Sequence, residues 1–225
     1  VATFSVDEPS ADLFLDNDSI VSRLPGWPKL ILSLDNCVLE GKHHAANLMA
    51  ALLVGRAMQL PIELMVQMGL RLHAGPHRCE MVAESNGVRF YNDSKATNIH
   101  ALCNGLQAMP QSSFGPKNIW LIAGGQGKEL DFRGAVEELE RRVKGVFLIG
   151  QTAAELRDAW EGFVTCNFAD NLVSAVEEAG RNAVPGDVVL LSPACASFDM
   201  YDSYQHRGDT FRAAVAQWMD TMGGH

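Results

Sequence analysis

The chain has 225 residues, 47% of them hydrophobic and 20% charged, with a formal net charge of -9. This composition supports a globular core of normal size without disulfide or metal staples, arranged as one large domain or two small ones. The acidic balance argues against a general nucleic-acid binder, which would show a basic stripe, but a few cations placed in a cleft would still hold a small anion.

In chain order, residues 1–6 read as a strand that begins at Val1 rather than Met, so the chain reads as a fragment of a longer protein. Leu30 to Leu34 is a short apolar strand, and Cys37 to Leu39 suggests another. Gly41 opens a turn into a helix from about His44 to Met58, rich in Ala, Leu and Met. Pro61 suits the first turn of a second helix reaching Leu72. Ala74-Gly75-Pro76-His77 then breaks the pattern and reads as a linker, dividing residues 1–74 from 79–225 at 75–78.

Beyond the linker, Cys79–Glu84 and Val88–Tyr91 flank Asn86-Gly87, a strong two-residue hairpin signal. Strands are expected at Ile119–Ala123, Val146–Ile149, Val164–Cys166 and Val188–Leu191. Helices are expected near Ile99–Met109, Gly134–Val143, Ala153–Trp160, Leu172–Ala183 and His206–Met219. Short β-branched strands alternating with amphipathic helices predict an α/β domain, a doubly wound and mostly parallel sheet covered on both faces.

Ligands of such sheets bind outside the carboxyl ends of the strands. Three loops there have unusual composition: Asn92-Asp93-Ser94-Lys95-Ala96-Thr97-Asn98, Gly124-Gly125-Gln126-Gly127-Lys128, and Ser192-Pro193-Ala194-Cys195-Ala196-Ser197-Phe198-Asp199. Together they would suit a small dianion. Each also has a plainer explanation. Thr97 or Asn98 would serve equally as a helix cap, and the glycines as a tight strand-to-helix turn. The Ser-Pro-Ala-Cys segment would allow close helix–sheet approach, with Cys195 a small buried residue rather than a nucleophile. The glycine loop matches neither G-x-x-x-x-G-K-[ST] nor G-x-G-x-x-G.

The five cysteines, Cys37, Cys79, Cys103, Cys166 and Cys195, include no C-x-x-C pair and read as reduced thiols of a cytoplasmic protein. His43-His44 are adjacent and do not share a helix face as a metal pair would, so no metal site is assigned. No apolar run has membrane-spanning length.

Taken together, Asp93-Ser94-Lys95-Ala96-Thr97-Asn98, Gly124-Gly125-x-Gly127-Lys128 and Leu191-Ser192-Pro193-Ala194-Cys195-Ala196-Ser197 resemble the D-glutamate-adding Mur ligases. Gly75-Pro76-His77-Arg78 and Gly41…His43…Asn47 match the same family in the same order. The resemblance implies that residues 1–74 are the end of a P-loop-type central ATPase domain and 79–225 a Rossmann-like amino-acid-binding domain. It implies ATP-dependent ligation of D-glutamate to UDP-N-acetylmuramoyl-L-alanine through an acyl phosphate, in peptidoglycan precursor synthesis, by a cytoplasmic monomer without nucleic-acid or membrane partners. Thr97, Lys128 and Ser197 match D-glutamate carboxylate positions, and Phe198 and Tyr204 flank them. Asn47, Arg78 and Asp93 match nucleotide contacts, and Lys95 lies between amino acid and nucleotide as the catalytic lysine. The Mg2+ ligands belong to an upstream part, as does the phosphate loop, so the isolated chain is expected to be inactive. His44 departs from a common Asn and Tyr204 from a common Phe. Two alternatives remain at this stage: a non-catalytic module for an anionic metabolite, and a folylpolyglutamate-synthetase-like ligase.

Overall fold

The computed structural model describes residues 1–37, 42–72, 75–113, 115–127 and 131–223, in two compact units, Val1–Ala74 and Gly75–His225. The strand expected at Cys37–Leu39 lies mostly outside the described residues, as do Gly41 and Ala74. At Cys37 itself the chain closes a 3-10 turn, Leu34–Asn36.

The first unit has a four-stranded sheet in the order β1 (Phe4–Ser5), β2 (Leu13–Asp16), β3 (Ser19–Ser22), β4 (Leu30–Ser33). Only Phe4–Ser5 of the expected first strand is in the sheet, paired parallel to β2. The β2–β3 hairpin was not singled out from the sequence. It turns at Asn17-Asp18, where Asn17 takes the left-handed conformation (φ 51°) that its short polar side chain tolerates. Helices α1 (Lys42–Ala57) and α2 (Ile62–Leu70) follow, the second preceded by Pro61. Leu13, Ile20, Leu32, Met49 and Leu52 form the core of this unit.

The second unit is a six-stranded sheet ordered β5 (Glu80–Ser85), β6 (Val88–Asn92), β10 (Val188–Leu191), β7 (Ile119–Gly124), β8 (Val143–Ile149), β9 (Thr165–Phe168). Only the β5–β6 pair is antiparallel. Its turn residues Asn86 and Gly87 both have positive φ, 51° and 76°, which asparagine tolerates and glycine, without a Cβ, adopts freely. The mostly parallel α/β sheet agrees with the sequence.

The strands are apolar throughout because both faces are covered. Leu121 and Leu190 point into one core with Leu102, Leu139 and Trp160. Their neighbours Ile122 and Leu191 point into the other, with Val176, Phe211 and Trp218. The first face carries α3 (Ile99–Ala108), α4 (Val136–Arg142) and α5 (Ala153–Trp160), and the second α6 (Leu172–Asn182) and α7 (Tyr204–Gly223).

One expected helix is shorter than its pattern. Residues 134–143 divide into a 3-10 turn at Phe132–Ala135, then α4, and Val143 already opens β8. The Arg142 carbonyl accepts from the Asn118 amide (3.1 Å) just before β7, which starts sheet pairing there.

Candidate functional site

Parallel pairing of β6, β10 and β7 brings their carboxyl ends to one edge, and the loops leaving that edge are bonded to each other. The Asp93 amide donates to Leu191 O (2.8 Å), the Gly124 amide to Pro193 O (2.9 Å), and Gln126 and Ala196 exchange both backbone bonds (2.9 and 3.1 Å). A fourth loop, after β8, joins them: the Thr152 amide and hydroxyl both donate to Gly125 O, at 3.0 and 2.9 Å.

This packing explains the glycine pair. Gly124 and Gly125 have φ of 120° and 136°, and a Cβ on them would strike Ile149 O and Ala196 O respectively. These glycines therefore serve close approach of loop backbones. Lys128 lies outside the described residues. Ala194 also takes positive φ (60°) while fully buried, so the Ser-Pro-Ala-Cys turn is held in place by its surroundings.

Two side chains organise the loop after β6. Asn92 donates from Nδ2 to His77 Nδ1 (3.0 Å) and Gly208 O (3.1 Å), and its Oδ1 accepts from the Ser94 amide (3.1 Å). Asp93 accepts from the Cys79 amide (3.2 Å) and the Ser192 hydroxyl (2.9 Å). Burial pushes the Asp93 carboxyl up to about 6, although those bonds and the neighbouring Arg78 favour its ionised form. The Asp93 carboxylate thus faces inward and ties β6 to β10. Arg78, just outside the turn, is exposed.

Asn98, not Thr97, caps α3, its Oδ1 accepting from the Ala101 amide at 2.8 Å. Thr97 is half-buried beside it and does not serve as the cap. Ser197 is buried, Phe198 is 66% exposed, and the Lys95 ammonium sits 4.0 Å from the centre of the Tyr204 ring. Cys195 is fully buried beside Thr152, with its thiol pushed up by burial. That is a packing thiol rather than a nucleophile.

Sequence reasoning missed Arg207. It is 1% exposed, and its guanidinium donates to Ser94 Oγ (3.0 Å), Ser94 O (2.8 Å), Cys195 O (3.1 Å) and Ala196 O (3.2 Å). An arginine inside an amphipathic helix carries no local signal of burial, so only the fold shows it.

The structure therefore gathers Asp93, Lys95, Thr97, Ser197, Phe198 and Tyr204 on one edge of the second unit's sheet. Asn47 belongs to the first unit, where it lines a small, mainly apolar hollow with Leu34, Cys37, His44, Leu48, Ala51, Gly69 and Leu72. Among the described residues no group of three His, Cys, Asp or Glu side chains is gathered as a metal site, and no helix is long and apolar enough to cross a membrane.

The second unit is thus a doubly wound α/β domain with polar loops locked together at the carboxyl edge of its sheet, the edge at which such folds hold their ligands. Residues 77–195 match the family described as Mur ligase, glutamate ligase domain, and the chain belongs to the Mur ligase family. It is 40% identical to UDP-N-acetylmuramoylalanine--D-glutamate ligase of Coxiella burnetii (strain CbuK_Q154), over 92% of this chain and 46% of that protein. To the ligase of the same name from Cupriavidus pinatubonensis it is 42% identical, over 86% of this chain and 38% of that one. The chain thus spans less than half the length of these curated relatives. Among solved structures it is similar to UDP-N-acetylmuramate-alanine ligase MurC of Thermotoga maritima, at TM-score 0.67 and 12% identity, over 98% of this chain and 48% of that one. It is also similar to FolC of E. coli in complex with ADP, at TM-score 0.56 and 20% identity, over 96% and 48% of the two chains. At such identities these likenesses concern the fold alone.

Proposed function

We propose that this chain supplies the D-glutamate site, and part of the ATP site, of a ligase that joins D-glutamate to UDP-N-acetylmuramoyl-L-alanine. The observation that carries the reading is the locked edge itself. The loops bearing Lys95, Thr97 and Ser197 are bonded together at the ends of β6 and β10, in a chain 40% identical to ligases of that name. The folylpolyglutamate-synthetase-like alternative has only the fold in its favour.

In this reading Thr97, Lys128 and Ser197 hold the two carboxylates of D-glutamate through charge-assisted and hydroxyl hydrogen bonds. Phe198 and Tyr204 wall the pocket, and Lys95, steadied over the Tyr204 ring, lies between amino acid and nucleotide as the catalytic lysine. For the nucleotide, the first unit offers Asn47, and the second offers Arg78 and the turn that Asp93 holds. The hollow beside Asn47 supplies an apolar surface of the kind a base needs, whereas Asp93 acts chiefly by holding the turn. ATP, when bound, would supply the phosphoryl group that makes the UDP-sugar carboxylate an acyl phosphate with release of ADP, and attack by the amine of D-glutamate would form the amide as inorganic phosphate leaves. Mg2+ would accompany the nucleotide, and no described residue is assigned to it. The same reading has a cytoplasmic monomer without nucleic acid.

Saturation-transfer NMR on the purified chain with D-glutamate and L-glutamate tests this. Binding of D-glutamate with clear preference over its enantiomer is expected. No detectable binding, or equal binding of both, would sink the assignment.

A further inference from the structure

We infer that Arg207 is the positioning residue of the amino-acid site, fixing the separation of the loops after β6 and β10 by bonding to both at once. This rests on the function proposed above for those loops. Nη2 reaches Ser94 O (2.8 Å) and Cys195 O (3.1 Å), so one nitrogen bridges the two loops, while Nε and Nη1 add Ser94 Oγ (3.0 Å) and Ala196 O (3.2 Å). Lys95 follows Ser94 directly and Ser197 follows Ala196 directly. Three of the four bonds are thus one residue, and the one to Cys195 two residues, from a side chain assigned to the ligand.

The helix that carries Arg207 is itself anchored to the same loop. Ser94 Oγ donates to Tyr204 O (2.8 Å), and the Tyr204 ring supports the Lys95 ammonium. Tyr204 and Arg207, three apart and so neighbours on one face of α7, therefore both hold the Ser94 hydroxyl. Gly208 completes the fit, because a Cβ there would strike the buried His77 ring.

The chemistry calls for arginine. A planar fork with five fixed donors serves several carbonyls in one plane, whereas an ammonium is a point charge with three rotatable donors. Among the described residues the guanidinium makes no ion pair and bonds to neutral acceptors. Burial pulls its acidity to about 10, and it stays charged at neutral pH. Its charge therefore raises the potential at the loops where a dianion would bind, in a medium that screens it weakly.

The test compares wild type with Arg207→Lys, which keeps charge and stem, and Arg207→Met, which keeps the stem alone. Amide hydrogen exchange by NMR is read across the chain beside D-glutamate titration. Arg207→Lys is expected to retain the dispersed spectrum and slow exchange of β7, β8 and α6. Amides of 94–97 and 194–197 should exchange about tenfold faster, consistent with loss of one or two charge-assisted bonds, and D-glutamate affinity should fall by a similar factor. Arg207→Met should lose more affinity than Arg207→Lys, since the charge goes too. Unchanged loop exchange in Arg207→Lys would overturn the inference, as would exchange accelerated evenly over the whole sheet, the mark of a merely structural arginine. Wild type that fails to bind D-glutamate while the loop exchange responds as stated would instead remove the substrate assignment and leave the bridge standing.

Discussion

At the scale of single residues, Gly105 shows how the site constrains a position far from it in sequence. It lies in α3, where alanine would ordinarily be better by about 1 kcal/mol. Here an added Cβ would sit 2.6 Å from Asp93 Oδ2 and 3.2 Å from Ser192 Oγ, the pair that ties β6 to β10. Gly105→Ala should therefore be net destabilising by about 1–2 kcal/mol, overpacking exceeding the propensity gain. Gly162→Ala, with nothing within 4 Å of its Cβ, should be neutral or slightly stabilising. Urea midpoints of the two variants check this, and a stabilised Gly105→Ala would show that the Asp93 carboxylate has room to retreat. None of this was legible in the sequence, because a glycine inside a helix pattern looks the same whether it faces solvent or a carboxylate. The loops themselves were legible, since Asp-Ser-Lys-Ala-Thr-Asn and Ser-Pro-Ala-Cys-Ala-Ser stand out in composition at strand ends, although Ala194 and Cys195 prove to be buried in the core.

At the scale of elements, the sequence carried most of the second unit because its signals are local. Asn86-Gly87 demands a hairpin, and the runs at Ile119–Gly124 and Val188–Leu191 are apolar on both faces. The first unit was harder to read. β1 and β2 are two and four residues long, too short for alternation to stand out, and their parallel pairing has no hairpin turn to mark it. The boundary at Val143 was missed because Asn118, 25 positions upstream, recruits the preceding carbonyl to the sheet. Caps are where element and site meet. Asn98 holds the start of α3 one residue after Thr97, through Asn98 Oδ1 and the Ala101 amide at 2.8 Å. Asn98→Ala should cost about 1 kcal/mol of stability, while Asn98→Asp should be nearly neutral or better, a carboxylate being favoured at a helix start. Thermal unfolding monitored at 222 nm distinguishes them. If both variants melt with wild type, the cap contributes nothing and the turn is held by Asp93 and Arg207 alone.

At the scale of the whole molecule, the balance of buried charge sets how stability responds to pH. The chain is acidic, at -9 formally, yet most of its carboxylates are surface groups. Two partnered ones are held below their usual range. Asp12 is lowered by its bonds from Thr3. At Glu80, burial acts upward but is outweighed by the His77 amide and Arg212. Such groups contribute stability above the unfolded carboxylate range and lose it as pH falls, so their window lies below about pH 4.5. Asp93 has the opposite sign. Burial raises its carboxyl from 3.8 to about 6, so its contribution is full below pH 3.8 and is lost as pH rises through about 6. Between those limits the second unit should lose on the order of 3 kcal/mol, most of it above about pH 4.5, where Asp12 and Glu80 no longer titrate. Asp93→Asn keeps the shape, an acceptor for the Cys79 amide and a polar contact to Ser192, but removes the proton. Its stability should therefore be nearly flat from pH 4.5 to 7.5 where wild type declines, and the difference between the two should grow in favour of the variant as pH rises. Chemical denaturation followed by tryptophan fluorescence reads this directly, since Trp160 and Trp218 lie in the two cores of that unit. A wild type whose stability is constant or rises across that interval would mean that the bonds from Cys79 and Ser192, with Arg78, outweigh burial at Asp93.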